Sequence, residues 1–434
     1  MRYLGAGGCS VVFALTEEEA NETWAQKDVQ QRPTPRCHLA LRLTKGMISE
    51  CPICRHILRD FVGFTHEIHL TEALRARCAS TFPPLADHCW TAVRAHLIPD
   101  FAVDPSLPVE NWNGTRWFTV EIKPKGVWQH PQVIGIIVDD VEYYMHPVKR
   151  RQCRYSLMQA LKYERQNKGN KHSIFSESTY CPNQMLLGDE VSIAAALRHL
   201  NSNPSNNLKY FHLEDFPGGL KEDELNVLSN ALYQSGVFSI LANLQLYGTE
   251  TICDWSVLDI ELLYHWSKAC DPSSVRWIVS NLNNSPLKDM NCTCQRERDR
   301  QTQDLQNNEM RNIKYVIPPI NLEECVNRFY VSTTAKDASV LATLSTREEE
   351  DKEKEKIERI RKTSTSCNHN KFTKWKDSHG GILMKIDSPT SSVCRIGVVD
   401  VDGKKHKSLL HYFERDQEIL AAWERVKGGV QYSP

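Results

Sequence analysis

The sequence predicts a mixed α/β (α+β) protein folded as two lobes, a smaller sheet-rich front lobe and a larger mixed back lobe. Three observations carry that prediction. At 434 residues the chain exceeds the size at which one hydrophobic core usually stops growing. Its front part reads as short apolar runs broken by turns, whereas beyond Arg150 apolar residues recur at helical spacing. With 41% hydrophobic and 25% charged residues it has the composition of an ordinary folded chain, which excludes a disordered or fibrous one.

In chain order, Gly5-Ala6-Gly7-Gly8 leads into Val11-Val12-Phe13-Ala14-Leu15, and after a polar stretch comes His38 to Leu43. This is a hairpin pattern in which Leu39, Leu41 and Leu43 share one face. Only Met1 to Leu4 precede the glycines, so part of the first strand is expected to be missing. Ser49 to Cys78 reads as mostly helical, and Ala92–Ile98 and Trp117–Ile122 as buried strands flanking a loop from Pro99 to Arg116. The front lobe is therefore drawn over residues 1–125 and the back lobe over 126–434. Tyr155 to Lys162 and Val191 to Leu200 are spaced as amphipathic helices, with more helices expected between Glu222 and Leu282. Arg347 to Lys362 is nearly all alternating charge without an apolar stripe, which predicts a flexible charged insertion over 347–392. A strand at Arg395 to Val401 and a helix around Asp416 to Val426 close the chain.

No stretch approaches the roughly 20 apolar residues that cross a bilayer, and the N-terminus lacks a signal-peptide core. Fifteen scattered cysteines without a secretory signal read as reduced thiols, many of them core residues. The 53 basic residues nearly balance the 54 acidic ones, which calls for no nucleic-acid partner but leaves room for a local basic pocket.

Three segments could carry phosphate chemistry. A glycine-rich turn at Gly5 to Ser10 lets backbone amides approach phosphate oxygens, although a plain hairpin turn accounts for the glycines as well. Arg42 on the next strand is a permanent cation able to grip two oxygens, or an exposed strand arginine. Glu121-Ile122-Lys123-Pro124-Lys125 ends an apolar strand with charged residues at every second position, so Glu121 and Lys123 share a face, and Lys125 too if the chain stays extended. Local sequence supports a site and a solvated strand end equally.

The run resembles the E-x-K-P-K motif of the inositol-pentakisphosphate 2-kinases, and other segments match that family in order. Thr334-Ala335-Lys336-Asp337-Ala338-Ser339 is similar to its T-A-K-D-C-S, and Asn206-Asn207-Leu208-Lys209 to its N-N-hydrophobic-R/K element. Val399-Asp400-Val401-Asp402-Gly403-Lys404 resembles its L-D-L-D-L-K, with Tyr412 and Asp416 at the expected spacing beyond.

The resemblance implies a two-lobed kinase-like fold whose C-lobe holds a helical inositol-phosphate-binding insertion. It implies ATP between the lobes, with Gly7, Gly8, Cys9 and Ser10 over the phosphates and Arg42, Glu121, Lys123 and Lys209 beside them. Pro99, Asp100 and Phe101 become the hinge near adenine, and Asp400 the magnesium ligand. Lys125, Lys162, Asn206, Asn207, Asp337, Lys404 and Tyr412 face the inositol phosphates, with Asp337, Lys123 and Asp400 as the catalytic set. The implied activity is phosphorylation of inositol 1,3,4,5,6-pentakisphosphate at its 2-hydroxyl. With no membrane-spanning stretch and no signal peptide, the chain is expected in cytoplasm and nucleus, as a monomer that neither enters a membrane nor requires nucleic acid. An aspartate suits the base role because it can orient a hydroxyl before accepting its proton, although Asp337 also reads as a capping residue. Asp402 either shares the metal or faces solvent, and Lys149-Arg150-Arg151 is either a substrate contact or a solvated surface.

Departures from the family pattern temper its implications. Met158 stands where the family shows a histidine, and a methionine cannot donate a hydrogen bond to phosphate. Cys181 to Gly188 differs from the family's C-P-L-D-L-F-S-G. Cys292-Thr293-Cys294 lacks zinc-ligand spacing, and Cys51-Pro52-Ile53-Cys54 with His66 and His69 is read as helical core cysteines, so no zinc is expected. Two other functions stay open: a kinase of the same fold with another inositol phosphate substrate, and an inositol-phosphate-binding scaffold with impaired turnover.

Overall fold

The computed structural model describes residues 1–6, 10–25, 39–45, 51–102, 115–166, 178–204, 207–211, 219–247, 257–280, 313–347, 372–376, 381–386 and 392–427. Among the described residues it holds three antiparallel sheets and twelve α-helices, an α+β arrangement.

The first sheet joins β1 (Arg2–Ala6), β2 (Ser10–Ala14), β3 (Leu39–Thr44), β4 (His66–Ile68) and β5 (Arg94–Pro99) in the order β1-β2-β3-β5-β4. β1 does form, pairing Arg2 with Ala14. Leu39, Leu41 and Leu43 are buried as their alternation predicts, beside Val11, Phe13 and Leu97. Helices α1 (Glu17–Ala25), α3 (Glu72–Thr81) and α4 (Ala86–Thr91) accompany this sheet, α3 being capped by Thr71, which accepts from the Leu74 amide. The stretch from Ser49 to Cys78 is less helical than expected: between α2 (Pro52–Ile57) and α3 lies the strand β4, paired with β5.

A second sheet of four strands contains β7 (Val133–Val138), β8 (Val141–Tyr144), β10 (Arg276–Ser280) and β11 (Ile313–Val316). The continuous apolar run Trp277-Ile278-Val279 follows α10 (Ile260–Trp266), so the expectation of helices up to Leu282 missed a strand there. Periodicity alone does not separate a short buried strand from a helix segment.

The third sheet has six strands in the order β13-β14-β15-β12-β6-β9. β6 (Thr115–Ile122), β12 (Ser339–Arg347) and β15 (Ser392–Val399) form its centre, flanked by β9 (Leu208–Phe211), β13 (Phe372–Lys376) and β14 (Ile382–Ile386). Within the stretch 347–392, drawn from sequence as an insertion, residues 348–371 lie outside the described residues, while β13 and β14 extend the sheet. Phe118, Val120 and Ile122 pack with Val340, Ala342, Leu344 and Ile396 in the main core. Helices α6 (Pro182–Leu186), α7 (Glu190–Ser202), α8 (Glu222–Ser235) and α9 (Val237–Tyr247) complete it with Leu197, Leu228 and Leu241. Three more helices carry site residues: α5 (Arg154–Gln166), α11 (Leu322–Asp337) and α12 (Leu409–Lys427), the last starting well before Asp416.

Pro99-Asp100-Phe101 leads out of the first sheet and is pinned to the third. Asp100 is buried, its carboxylate accepting from the Ala102 amide at 2.9 Å and its carbonyl from Arg395 at 3.2 Å. Burial raises its carboxyl above the ordinary range. The Arg395 guanidinium lies 4.8 Å from the centre of the Phe101 ring, and Thr343 donates to the Phe101 carbonyl at 2.8 Å. Gly397 on β15 makes room for that ring, since an added Cβ would lie 2.5 Å from it. Gly397→Ala is therefore expected to cost about 1–3 kcal/mol through displacement of Phe101, read as a lower urea midpoint at unchanged slope. An unchanged midpoint would show that this contact does not tie the sheets together.

Candidate functional site

β6 delivers Glu121 to the sheet's end, opposite Lys209 of β9, and the chain turns away at Pro124. The Lys123 amide still donates to the Asn207 carbonyl at 2.8 Å. Glu121 is largely buried, with Lys123 Nζ at 3.4 Å, Lys209 Nζ at 3.5 Å and the Ser339 hydroxyl at 2.9 Å. Asp400 joins from the end of β15, 3.6 Å from Lys123 Nζ and 3.2 Å from the Ser339 hydroxyl. Burial pulls the Lys123 ammonium down, but Asp400 and Glu121 outweigh it and leave the group above its ordinary value.

Asp400 has a left-handed backbone, φ +64°. A non-glycine residue there carries strain of about 1–3 kcal/mol, of the kind that collects at functional positions. From it runs a short connection whose alternate residues reach three elements. Asp400 meets Lys123 of the β6 end, Asp402 grips Arg42 of β3, and Lys404 meets Asp337 at the end of α11. The connection is itself anchored, because the Cys51 amide donates to the Val401 carbonyl at 3.1 Å.

Arg42 donates through one nitrogen to Asp402 Oδ1 at 3.0 Å and through the other to Oδ2, and it also meets the Ser10 hydroxyl at 3.1 and 3.3 Å. In this structure Asp402 does not face solvent: both its oxygens serve the Arg42 guanidinium. Its fork ties the strand next to the glycine turn to the Asp400 segment.

Around Asp337 the charges are mostly positive. Its carboxylate is exposed and lies 3.2 Å from Lys404 Nζ, and the Tyr412 hydroxyl reaches the Lys404 carbonyl at 3.5 Å. Lys125 does not continue the extended strand: it is left-handed, φ +67°, with its carbonyl accepting from Gln245 at 3.0 Å. Burial first, with Lys123 and Lys162 beside it, lowers its ammonium to about 8. Lys162 of α5 is itself lowered by burial. Lys125, Lys404 and Tyr412 thereby face Asp337, with Lys162 next to Lys125, while Glu121, Lys123, Lys209 and Asp400 form the neighbouring group.

Not every expected residue is found there. Asn207 is buried, and its amide donates to the Tyr155 hydroxyl at 2.9 Å, so in this structure it braces Lys123 through its carbonyl instead of opening toward a ligand. Gly7, Gly8, Cys9 and Asn206 lie outside the described residues. Sequence reasoning missed Ser339, the hydroxyl shared by Glu121 and Asp400, although it closes the Thr334–Ser339 run. Met158 receives a hydrogen bond on sulfur from Arg415 of α12 at 3.9 Å, one turn before Lys162.

Lys149 is neither a substrate contact nor a solvated residue. It is buried with its ammonium 2.7 Å from Asp259 and 3.0 Å from Glu261 and in contact with Asp416, which also pairs with Arg154. Those three carboxylates have the closeness of a metal cluster. The ammonium fills the centre a cation would take. The cysteines of Cys51-Pro52-Ile53-Cys54 fall at the start of α2: Cys51 precedes its first turn, and Cys54 is buried and donates to the Val331 carbonyl at 3.7 Å. Hydrogen bonding between the two cysteines draws the Cys51 thiol down to about 6.

Arranged in this way, the described residues offer a carboxylate base candidate among cations and, beside it, an acidic residue with hard oxygen ligands next to a lysine and a hydroxyl. Residues 67–418 match the family model for inositol-pentakisphosphate 2-kinase. No curated protein matches the chain.

Proposed function

The chain belongs to the inositol-pentakisphosphate 2-kinase family, and from that membership we propose that it transfers the terminal phosphoryl group of ATP to the 2-hydroxyl of inositol 1,3,4,5,6-pentakisphosphate. The product is inositol hexakisphosphate. The observation that carries this reading is the Asp337–Lys404 pair standing beside Lys125 and Lys162 and linked through residues 400–404 to Asp400 and Lys123.

In the proposed reaction the Asp337 carboxylate orients the 2-hydroxyl and takes its proton as the oxygen bonds to phosphorus. The bond from that phosphorus to the bridging oxygen of ATP breaks, and ADP leaves with the electron pair. Such transfers need positioning and charge neutralisation more than covalent help. Lys404, Lys125, Lys162 and Tyr412 hold the inositol phosphates, and Lys123, supported by Glu121, meets the transferred group. Asp400 fits a magnesium ligand, because its carboxylate is half-exposed and hard and its other neighbours are a lysine and a hydroxyl. When bound, magnesium would neutralise charge on the nucleotide phosphates. Ser10 and Arg42, held by Asp402, border the nucleotide from the first sheet.

The test is product analysis: purified protein with magnesium ATP and inositol pentakisphosphate lacking the 2-phosphate is expected to yield hexakisphosphate. Absence of that product overturns the proposal. Met158, with Arg415 against its sulfur, favours one second reading, a kinase of the same fold acting on a different inositol phosphate. Conversion of another isomer but not this one would establish it.

A further inference from the structure

Lys336 immediately precedes Asp337 at the end of α11, and none of the roles above uses it. Its aliphatic stem crosses the E-x-K-P-K segment at Gly126, where an added Cβ would lie 3.5 Å from Lys336 Cδ. The charged groups facing its ammonium are Arg154 of α5, Asp259 before α10, Asp416 of α12 and Asp337 of its own helix. None of these carboxylates is its own. Asp259 and Asp416 hold Lys149, Asp416 also holds Arg154, and Asp337 holds Lys404. Among the described residues Lys336 has no ion pair, and Lys125 across Gly126 is in the same condition. A half-buried ammonium without an ion pair of its own is costly, and two of them flanking one glycine beside Asp337 make a site short of negative charge.

We propose that Lys336 is a further phosphate-binding residue of the inositol-phosphate pocket, adding an ammonium from the position next to the base. This rests on the function proposed above. The same cleft then has a distinctive proton balance. Burial, with Arg154 next, lowers Lys336 to about 8, where Lys125 also lies. Both are partly neutral at pH 8, and a bound polyanion restores their protons.

Calorimetric titration with inositol pentakisphosphate lacking the 2-phosphate, at pH 8 in two buffers of different ionisation heat, counts the protons taken up. Wild type is expected to take up protons on binding. Lys336→Met should bind roughly tenfold more weakly, the loss of one charge-assisted hydrogen bond, and take up fewer protons. Lys336→Arg should bind like wild type yet take up as few protons as the methionine variant, because a guanidinium never loses its proton at this pH. Wild-type affinity and uptake in Lys336→Met overturn the inference alone. Should that variant fail to fold, wild-type uptake in Lys336→Arg overturns it. Wild-type protein that does not bind the pentakisphosphate overturns the function from which it follows.

Discussion

Replacing Asp337 with asparagine should lower turnover by roughly 10²- to 10⁴-fold, the usual contribution of a positioned acid–base group. The substitution keeps size and shape, and Asp337 is exposed at the end of α11, so the fold is expected to be unchanged. The amide can still accept a hydrogen bond from the hydroxyl but cannot take its proton. Binding of inositol pentakisphosphate, measured without nucleotide, should be as tight as in wild type or tighter, because the variant removes the negative charge that pairs with Lys404 in the proposed polyanion site. Loss of turnover with retained binding therefore separates a base from a structural cap. A variant within tenfold of wild-type turnover at saturating substrates would remove Asp337 from the chemistry. Weakened binding with unchanged turnover would instead make it a positioning residue for Lys404.

Much of this arrangement can be read in the sequence, and the places where reading stops have physical causes. Glu121 and Lys123 are legible together because strand side chains repeat every second residue, and both do reach Asp400 or its neighbour Ser339. Lys125 breaks the pattern at a left-handed residue whose carbonyl is held by Gln245 from α9, a contact no local rule contains. Asp402 cannot be placed from its own strand end, because the partner on both its oxygens, Arg42, comes from another sheet. Asn207 matches a motif by spacing, yet its amide turns into the core toward Tyr155. Helix and strand positions were clear where apolar periodicity ran long, as in β6 and α7, and failed where a buried strand such as β10 is short and apolar on both faces. Lys149 was invisible for a stronger reason: its three carboxylates come from α12 and the start of α10, remote in sequence.

That cluster yields the largest expected effect on stability. Lys149→Met should cost about 3–5 kcal/mol, because removal of one partner leaves Asp259, Glu261 and Asp416 as clustered, largely buried carboxylates with only Arg154 and the more distant Lys336 to balance them. Wild type shows how finely the charges are set. Burial pushes Asp259 up, but the Lys149 ammonium outweighs it and holds that carboxyl below its ordinary range. At Asp416 burial wins over Lys149 and Arg154, and the carboxyl stays above it. Without the ammonium, folded-state carboxyls rise above their unfolded values, so the folded variant binds more protons than the unfolded chain. Its stability must then increase as pH falls toward the ordinary carboxylate range, so that the deficit against wild type narrows between pH 8 and pH 5. Urea midpoints of both proteins across that window test the sign. A deficit that is constant with pH would mean that the cost comes from lost packing of the lysine stem and not from stranded charge. A negligible deficit at pH 8 would mean that Arg154 and Lys336 neutralise the cluster without Lys149. Because Asp416 and Tyr412 share α12, and Arg154 opens the helix that carries Lys162, the variant should also weaken inositol pentakisphosphate binding at pH 8 while leaving nucleotide binding intact. Equal losses for both ligands would place the damage in the whole fold instead of in the pocket that this cluster frames.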